Sequence, residues 1–236
     1  MDFDAVLIAP REEKMLKEGY WLNKTIIGSL QTALQQNPDK TALVSFKTDK
    51  KSERAFSYQQ LWEMTNKIAL GLKHLGVSKN DVVSCQLPNW WEFTLLYLAC
   101  SRIGAVLNPL MPIFRERELE FMLRHGESKV FVVPKIFRNF DHEQLANQLK
   151  AKIETLEHVV VIDGNTENNF NALLVNHGLD NHLAEVTALD DFNLGADDIT
   201  QLIFTSGTTG EPKGVMHTSN TLYSNIVPYA KRLNLT

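Results

Sequence analysis

Cysteine is nearly absent: Cys85 and Cys100 are the two in 236 residues. They cannot make a disulfide framework, and they lack the short paired spacing of a zinc site, which seven scattered histidines do not supply. Both read as small buried apolar residues in a reducing, cytoplasmic setting. Positive charge is in short supply too. A formal net charge of −4 gives no basic face for nucleic acid. Long apolar runs are missing as well: Glu92 and Arg102 interrupt the most apolar region and leave nine residues between them, against about eighteen for a membrane crossing. The start, Met1-Asp2-Phe3-Asp4, has neither the basic residue nor the apolar core of a secretory signal. Repeats, heptads and low-complexity tracts are also missing. The remaining composition, 44% hydrophobic and 22% charged, is enough for one large domain or two small ones.

Hydrophobic periodicity then alternates along the chain. Residues 25–36 look helical and lead through Asn37-Pro38-Asp39 into a strand over 41–46. Ser57-Tyr58-Gln59-Gln60 has the form of a capping box, opening a helix with Leu61, Met64, Ile68, Leu72 and Leu75 at helical spacing and Gly76 at its end. Strands are expected over 81–87, 105–109, 129–133 and 158–162, with helices over 90–103, 115–125 and 142–153. The asparagine-rich stretch 163–171 reads as a surface loop. Strand and helix in strict turn imply parallel strands with helical crossovers, hence a layered α/β domain with a largely parallel sheet. Ligands of such sheets gather at the carboxyl ends of the strands. Trp90 and Trp91 read as core residues more than as a stacking platform for a base. Arg115-Glu116-Arg117-Glu118 reads as a solvated helical turn, and Asp197-Asp198 as a solvated turn.

One run carries chemistry: Leu202-Ile203-Phe204-Thr205-Ser206-Gly207-Thr208-Thr209-Gly210-Glu211-Pro212-Lys213-Gly214. Gly207 and Gly210 allow positive φ and close backbone approach, and consecutive N–H groups in such a turn can nest an anion. Thr205, Ser206, Thr208 and Thr209 add hydroxyl donors, and Lys213 adds a mobile cation. A polyphosphate is the natural guest. The Walker loop, G-x-x-x-x-G-K-[S/T], is excluded because Pro212 precedes Lys213 and Gly214 follows it. Gly214-Val215-Met216-His217 instead reads as a second strand before a helix beginning near 218–220, so the run forms a hairpin-type loop.

This run, unbroken from Leu202 to Gly214, resembles the signature loop of the adenylate-forming superfamily, which includes acyl-CoA synthetases, firefly luciferase and the adenylation domains of peptide synthetases. Gln86-Leu87-Pro88-Asn89-Trp90-Trp91-Glu92-Phe93, Ile103-Gly104-Ala105-Val106, Asn108-Pro109-Leu110 and Arg115-Glu116-Arg117-Glu118-Leu119 are similar to the fatty acyl-CoA ligase branch, most of all to ligases of medium-chain or cyclic acids. The resemblance implies an extension over 1–24 and a partial AMP-binding domain over 25–236, the incomplete N-terminal part of that fold with the C-terminal domain absent. It implies a phosphate grip made by Thr205, Ser206, Gly207, Thr208, Thr209, Gly210 and Lys213, and no catalytic or metal-ligating residue within these 236. The implied chemistry is ATP-dependent activation of a medium- to long-chain fatty acid as an acyl-adenylate, followed by transfer to coenzyme A, with Mg²⁺ accompanying ATP. Fatty acid, ATP and CoA would be the partners, and peripheral membrane contact fits a lipid enzyme. A non-catalytic remnant that binds nucleotide or another protein, and an adenylation domain for another carboxylic acid, are the competing readings. One departure stands out. Members commonly carry Thr-His-x-Asn after the second strand, whereas this chain reads Thr218-Ser219-Asn220-Thr221, with a histidine displaced to His217 and taken as a plain strand residue.

Overall fold

The computed structural model of the chain describes residues 3, 8–48, 50–165, 167–176, 183–189, 194–205 and 211–235. Two helices precede the first strand, α1 (Ala9–Lys17) and α2 (Ile26–Gln36). Thr25 Oγ1 caps α2 by accepting the Gly28 N–H at 2.9 Å. Strands β1 (Thr41–Lys47) and β2 (Ser52–Ser57) then pair antiparallel as a separate two-stranded sheet. Helix α3 (Tyr58–His74) opens on the expected capping box. Ser57 Oγ accepts the Gln60 N–H at 3.2 Å, and Gln60 Oε1 accepts the Ser57 N–H at 3.0 Å.

The main sheet is built next, through β3 (Val82–Cys85), α4 (Trp91–Ile103), β4 (Val106–Pro109), α5 (Glu116–His125) and β5 (Ser128–Pro134). A tight hairpin, β6 (Ile136–Phe137) and β7 (Phe140–Asp141), leads into α6 (His142–Lys150) and β8 (His158–Ile162). After a π-helical turn at Asn171–Val175 and the short α7 (Leu183–Ala188) come β9 (Ile199–Thr205), β10 (Lys213–Thr218) and α8 (Ser219–Arg232). Six strands lie in the order β10-β9-β4-β3-β5-β8, all parallel except β10. The class is therefore the expected layered α/β architecture.

Alternation along each strand sorts the core into two layers. Val130, Val132, Val160 and Ile162 face the side covered by α2, α3 and α4. Phe131, Val133, Val159 and Val161 face α5 and α6, whose Leu119, Met122, Leu123, Leu145 and Leu149 complete that layer. With helices on both faces, the central strands are buried throughout, which explains their continuous apolar runs. Gly104 ends α4 at φ 72, and an added Cβ would lie 2.8 Å from Leu194 Cδ2. Both backbone and packing hold that position to glycine.

Strict alternation of strand and helix does not hold. The β1–β2, β6–β7 and β9–β10 hairpins interrupt it, and β2 went unread because Phe56 is its one buried residue among charged neighbours. The stretch 163–171 is not a free surface loop either. Val161 N–H donates to Asn168 O, Asn169 bridges to Val161, and Phe170 is buried beside Trp91.

Candidate functional site

Strand β9 runs parallel to β4 through the Leu107–Gln201 pair, so its end, Thr205, reaches the edge of the sheet where β3, β4 and β5 also end. The chain returns as β10, with Lys213 paired to Thr205, Gly214 to Phe204 and Val215 to Ile203. The expected hairpin-type loop is thus closed at its base by the first and last of the predicted phosphate-gripping residues. Thr205 and Lys213 are both exposed. Ser206, Gly207, Thr208, Thr209 and Gly210 lie outside the described residues. Gly214 has a packing reason of its own: a Cβ there would sit 3.0 Å from Leu202 Cδ1. Phe204 is wedged edge-on against Phe121 and His125 of α5, which stack on each other with centroids 5.5 Å apart. Strand β9 is therefore anchored one residue before the loop.

Helix α8 begins directly behind β10. Thr218 and Thr221 cap it reciprocally, Thr221 N–H donating to Thr218 Oγ1 at 3.2 Å and Thr218 N–H to Thr221 Oγ1 at 2.8 Å. Ser219, which stands where the resemblance leads one to expect histidine, is buried and accepts the Ile26 N–H at 3.3 Å. Asn220 accepts the Asn23 N–H at 3.0 Å and donates to Asp197 at 2.9 Å. Asp197 and Asp198 are therefore structural: Asp198 accepts the Gly195 N–H and pairs with Lys79 at 2.9 Å. His217 is a half-buried strand residue, as expected, and burial holds its imidazole below the usual range. Beside it a cleft of about 480 Å³ opens between α1, β10 and α8, lined by Met15, Trp21, Val215, Met216, His217 and Asn225.

A buried clamp that sequence reading missed ties the carboxyl-end loops together. Gln86, just after β3, donates from Nε2 to the carbonyls of Met111 and Phe114 after β4, at 2.9 and 3.0 Å. Its Oε1 must then accept, so the 2.8 Å contact with His142 fixes the histidine as the Nδ1–H tautomer. His142 opens α6 after β5, so three loops are joined. Its Nε2 has no partner among the described residues, and burial with Arg115 nearby depresses its pKa to about 4. Arg115 is more than a solvated residue: it donates to Pro112 O and Phe114 O and lies 3.8 Å from the centre of the Phe140 ring.

Cys85 and Cys100 are fully buried, and burial pushes the Cys85 thiol up to about 12 and Cys100 well above its usual value, so neither is a nucleophile. Trp90 and Trp91 pack in the core, as expected. Among the described residues no three histidine, cysteine or acidic side chains converge on a metal position, and no helix is long and apolar enough to cross a membrane.

Comparison with known proteins gives this geometry a context. The AMP-binding enzyme family matches residues 30–235. The chain is 31% identical to the medium-chain fatty-acid–CoA ligase of Escherichia coli K12, over 93% of this chain and 37% of that protein. It is 30% identical to the 2-hydroxy-7-methoxy-5-methyl-1-naphthoate–CoA ligase of Streptomyces carzinostaticus, over 86% of this chain and 36% of that protein. Among solved structures, apo MbtA of Mycobacterium smegmatis superposes with a TM-score of 0.82 at 24% identity, covering 98% of this chain and 41% of the other. The chain thus spans less than half the length of each of these three proteins.

Proposed function

The chain belongs to the AMP-binding enzyme family, and from that premise we propose that the whole protein is an ATP-dependent acid–thiol ligase acting on a medium- to long-chain fatty acid. A carboxylate resists thiol attack because its leaving group would be oxide. In the proposed reaction the carboxylate oxygen attacks the α-phosphorus of ATP, the bond to pyrophosphate breaks, and the acyl-adenylate forms. The thiol of coenzyme A then attacks the acyl carbon, loses its proton and expels AMP.

The observation that carries this reading is the Thr205–Lys213 pair closing a loop of glycines and hydroxyls at the carboxyl edge of a parallel sheet. Thr205, Ser206, Gly207, Thr208, Thr209, Gly210 and Lys213 are proposed to hold the β- and γ-phosphates, stabilising the charge that builds up as pyrophosphate departs. Mg²⁺ would arrive with the nucleotide; the described residues provide no cluster for it. The apolar wall of the cleft beside β10 offers a surface for the acid's chain.

A second reading for the acid has its own support. Relatives include ligases named for naphthoate and 2,3-dihydroxybenzoate, and Ser219 replaces the histidine expected near the acyl pocket. ATP–pyrophosphate exchange by the whole protein, with octanoate, palmitate, salicylate and 2,3-dihydroxybenzoate offered in parallel, decides both points. Exchange driven by octanoate or palmitate supports the fatty-acid reading, and exchange driven by the aryl acids alone replaces it. Exchange with none of the four rejects the activity.

A further inference from the structure

The β1–β2 hairpin turns a polar face inward. Ser45 and Lys47 of β1 stand directly opposite Arg54 and Ser52 of β2, and direct cross-strand partners share a face. These side chains look across a cleft of about 270 Å³ at Trp91 of α4 and Asp163 after β8. Ser45 is 6% exposed, and its Oγ has no hydrogen-bond partner among the described residues. A buried hydroxyl left unpaired is costly, and Ser45 is one of the residues lining the cleft.

The charges around that hydroxyl are unevenly satisfied. Lys47, 8% exposed, bonds Glu92 and lies 4.3 Å from the centre of the Trp90 ring. Lys50 pairs with Asp163 at the rim. Arg54 differs: its guanidinium lies 4.4 Å from the Trp91 ring centre and 4.6 Å from that of Phe56, with no ion pair or hydrogen bond among the described residues. A guanidinium packed against rings keeps its fork of N–H donors available to an oxyanion. Glu53 and Asp163 also line the cleft, against Lys47, Lys50 and Arg54, which leaves its lining one positive charge in excess. The cleft is open to solvent and has room for a single oxyanion group beside Arg54.

We propose that this cleft is an anion site for one phosphate-type group, bound by Arg54, Ser45 and Lys50 and separate from the β9–β10 loop. The test follows the indole N–H resonance of Trp91, assigned by its loss in Trp91→Phe, while inorganic phosphate is titrated into the protein against chloride at matched ionic strength. A saturable shift is expected. Arg54→Gln weakens binding about tenfold or more, the value of one charge-assisted interaction, and Ser45→Ala weakens it several-fold. Lys213→Ala leaves it unchanged, which separates this cleft from the proposed nucleotide loop. Glycerol 3-phosphate titrated in the same way tells a phosphomonoester from the free ion: tighter binding assigns the site to an ester, and weaker binding to inorganic phosphate. Arg54 is exposed, so its replacement keeps the fold, and Lys50→Gln is a second rim variant. No saturable shift up to about 50 mM phosphate, or an equal shift in Arg54→Gln, overturns the site.

Discussion

Replacing His142 with glutamine removes a titration that the fold opposes, and the size of the effect follows from the structure. The imidazole donates Nδ1–H to Gln86 and buries Nε2, so protonation would place a charge where burial and Arg115 outweigh the favourable Phe137 carbonyl and Asp141. Its pKa is about 4 in the folded chain against 6.5 when unconstrained. The unfolded chain therefore binds the proton first, and stability held above pH 6.5 is lost as pH falls toward 4. At about 1.4 kcal/mol per unit, the full loss is about 3 kcal/mol, of which about 2 kcal/mol has gone by pH 5. Burial depresses His158 and His217 in the same direction, but they titrate equally in both proteins and cancel in the comparison. Glutamine keeps an amide donor toward Gln86, so the clamp is preserved. Urea denaturation at pH 7.5 and pH 5 gives the stability of each protein. The wild type is expected to lose about 2 kcal/mol more than His142→Gln over that interval. Equal losses in the two proteins would refute the neutral, buried histidine.

Three further outcomes are expected. Lys213→Ala in the whole protein lowers adenylation about 10²- to 10³-fold, as loss of one preorganised anion-stabilising donor does elsewhere; an unchanged pyrophosphate-exchange rate removes Lys213 from the proposed grip. Gly104→Ala costs about 1–3 kcal/mol in a thermal melt, because its Cβ would meet Leu194 and its φ of 72 disfavours any side chain. A melting temperature equal to wild type would mean that the end of α4 relaxes freely. Cys85 and Cys100 resist a thiol reagent in the native protein and both react in denaturant, since each is fully buried with its pKa raised; rapid native labelling would contradict that burial.

The parallel sheet was legible because its strands carry their own signal. Val130 to Val133 and Val159 to Ile162 are apolar on both faces, and the helix before β3 begins and ends on recognisable residues, Ser57, Gln60 and Gly76. The β1–β2 and β6–β7 hairpins were not legible for the opposite reason. Strand β2 is stabilised by pairing with β1 and by one buried phenylalanine, and β6 and β7 are two residues each, too short for any period to register. Pairing across a hairpin is a tertiary fact, and a chain read residue by residue shows only half of it.

The site divides along the same line. The hairpin that carries the loop was readable from the apolar run before it and the short strand expected over 214–217, and its base is the Thr205–Lys213 pair. What supports the loop was not readable. Phe121 and His125 on α5 brace Phe204, while Gln86, His142 and the Met111 and Phe114 carbonyls lock the neighbouring loops, across separations of 25 to 56 residues. Each of those residues alone reads as an ordinary core or helix position. Their function lies in the contact, so the rigidity of this edge of the sheet is encoded in pairs that become visible once the strands are in register. The same logic applies to Ser219 and Asn220. They read as a departure from the expected Thr-His-x-Asn, yet they hold residues 23–26 and Asp197 against the start of α8. Serine at the position where the resemblance expects a histidine therefore also provides a structural tie. Ser219→His in the whole protein tests which role dominates: a gain in acid turnover without loss of stability would favour the pocket, and a lower melting temperature with no gain would favour the tie to Ile26.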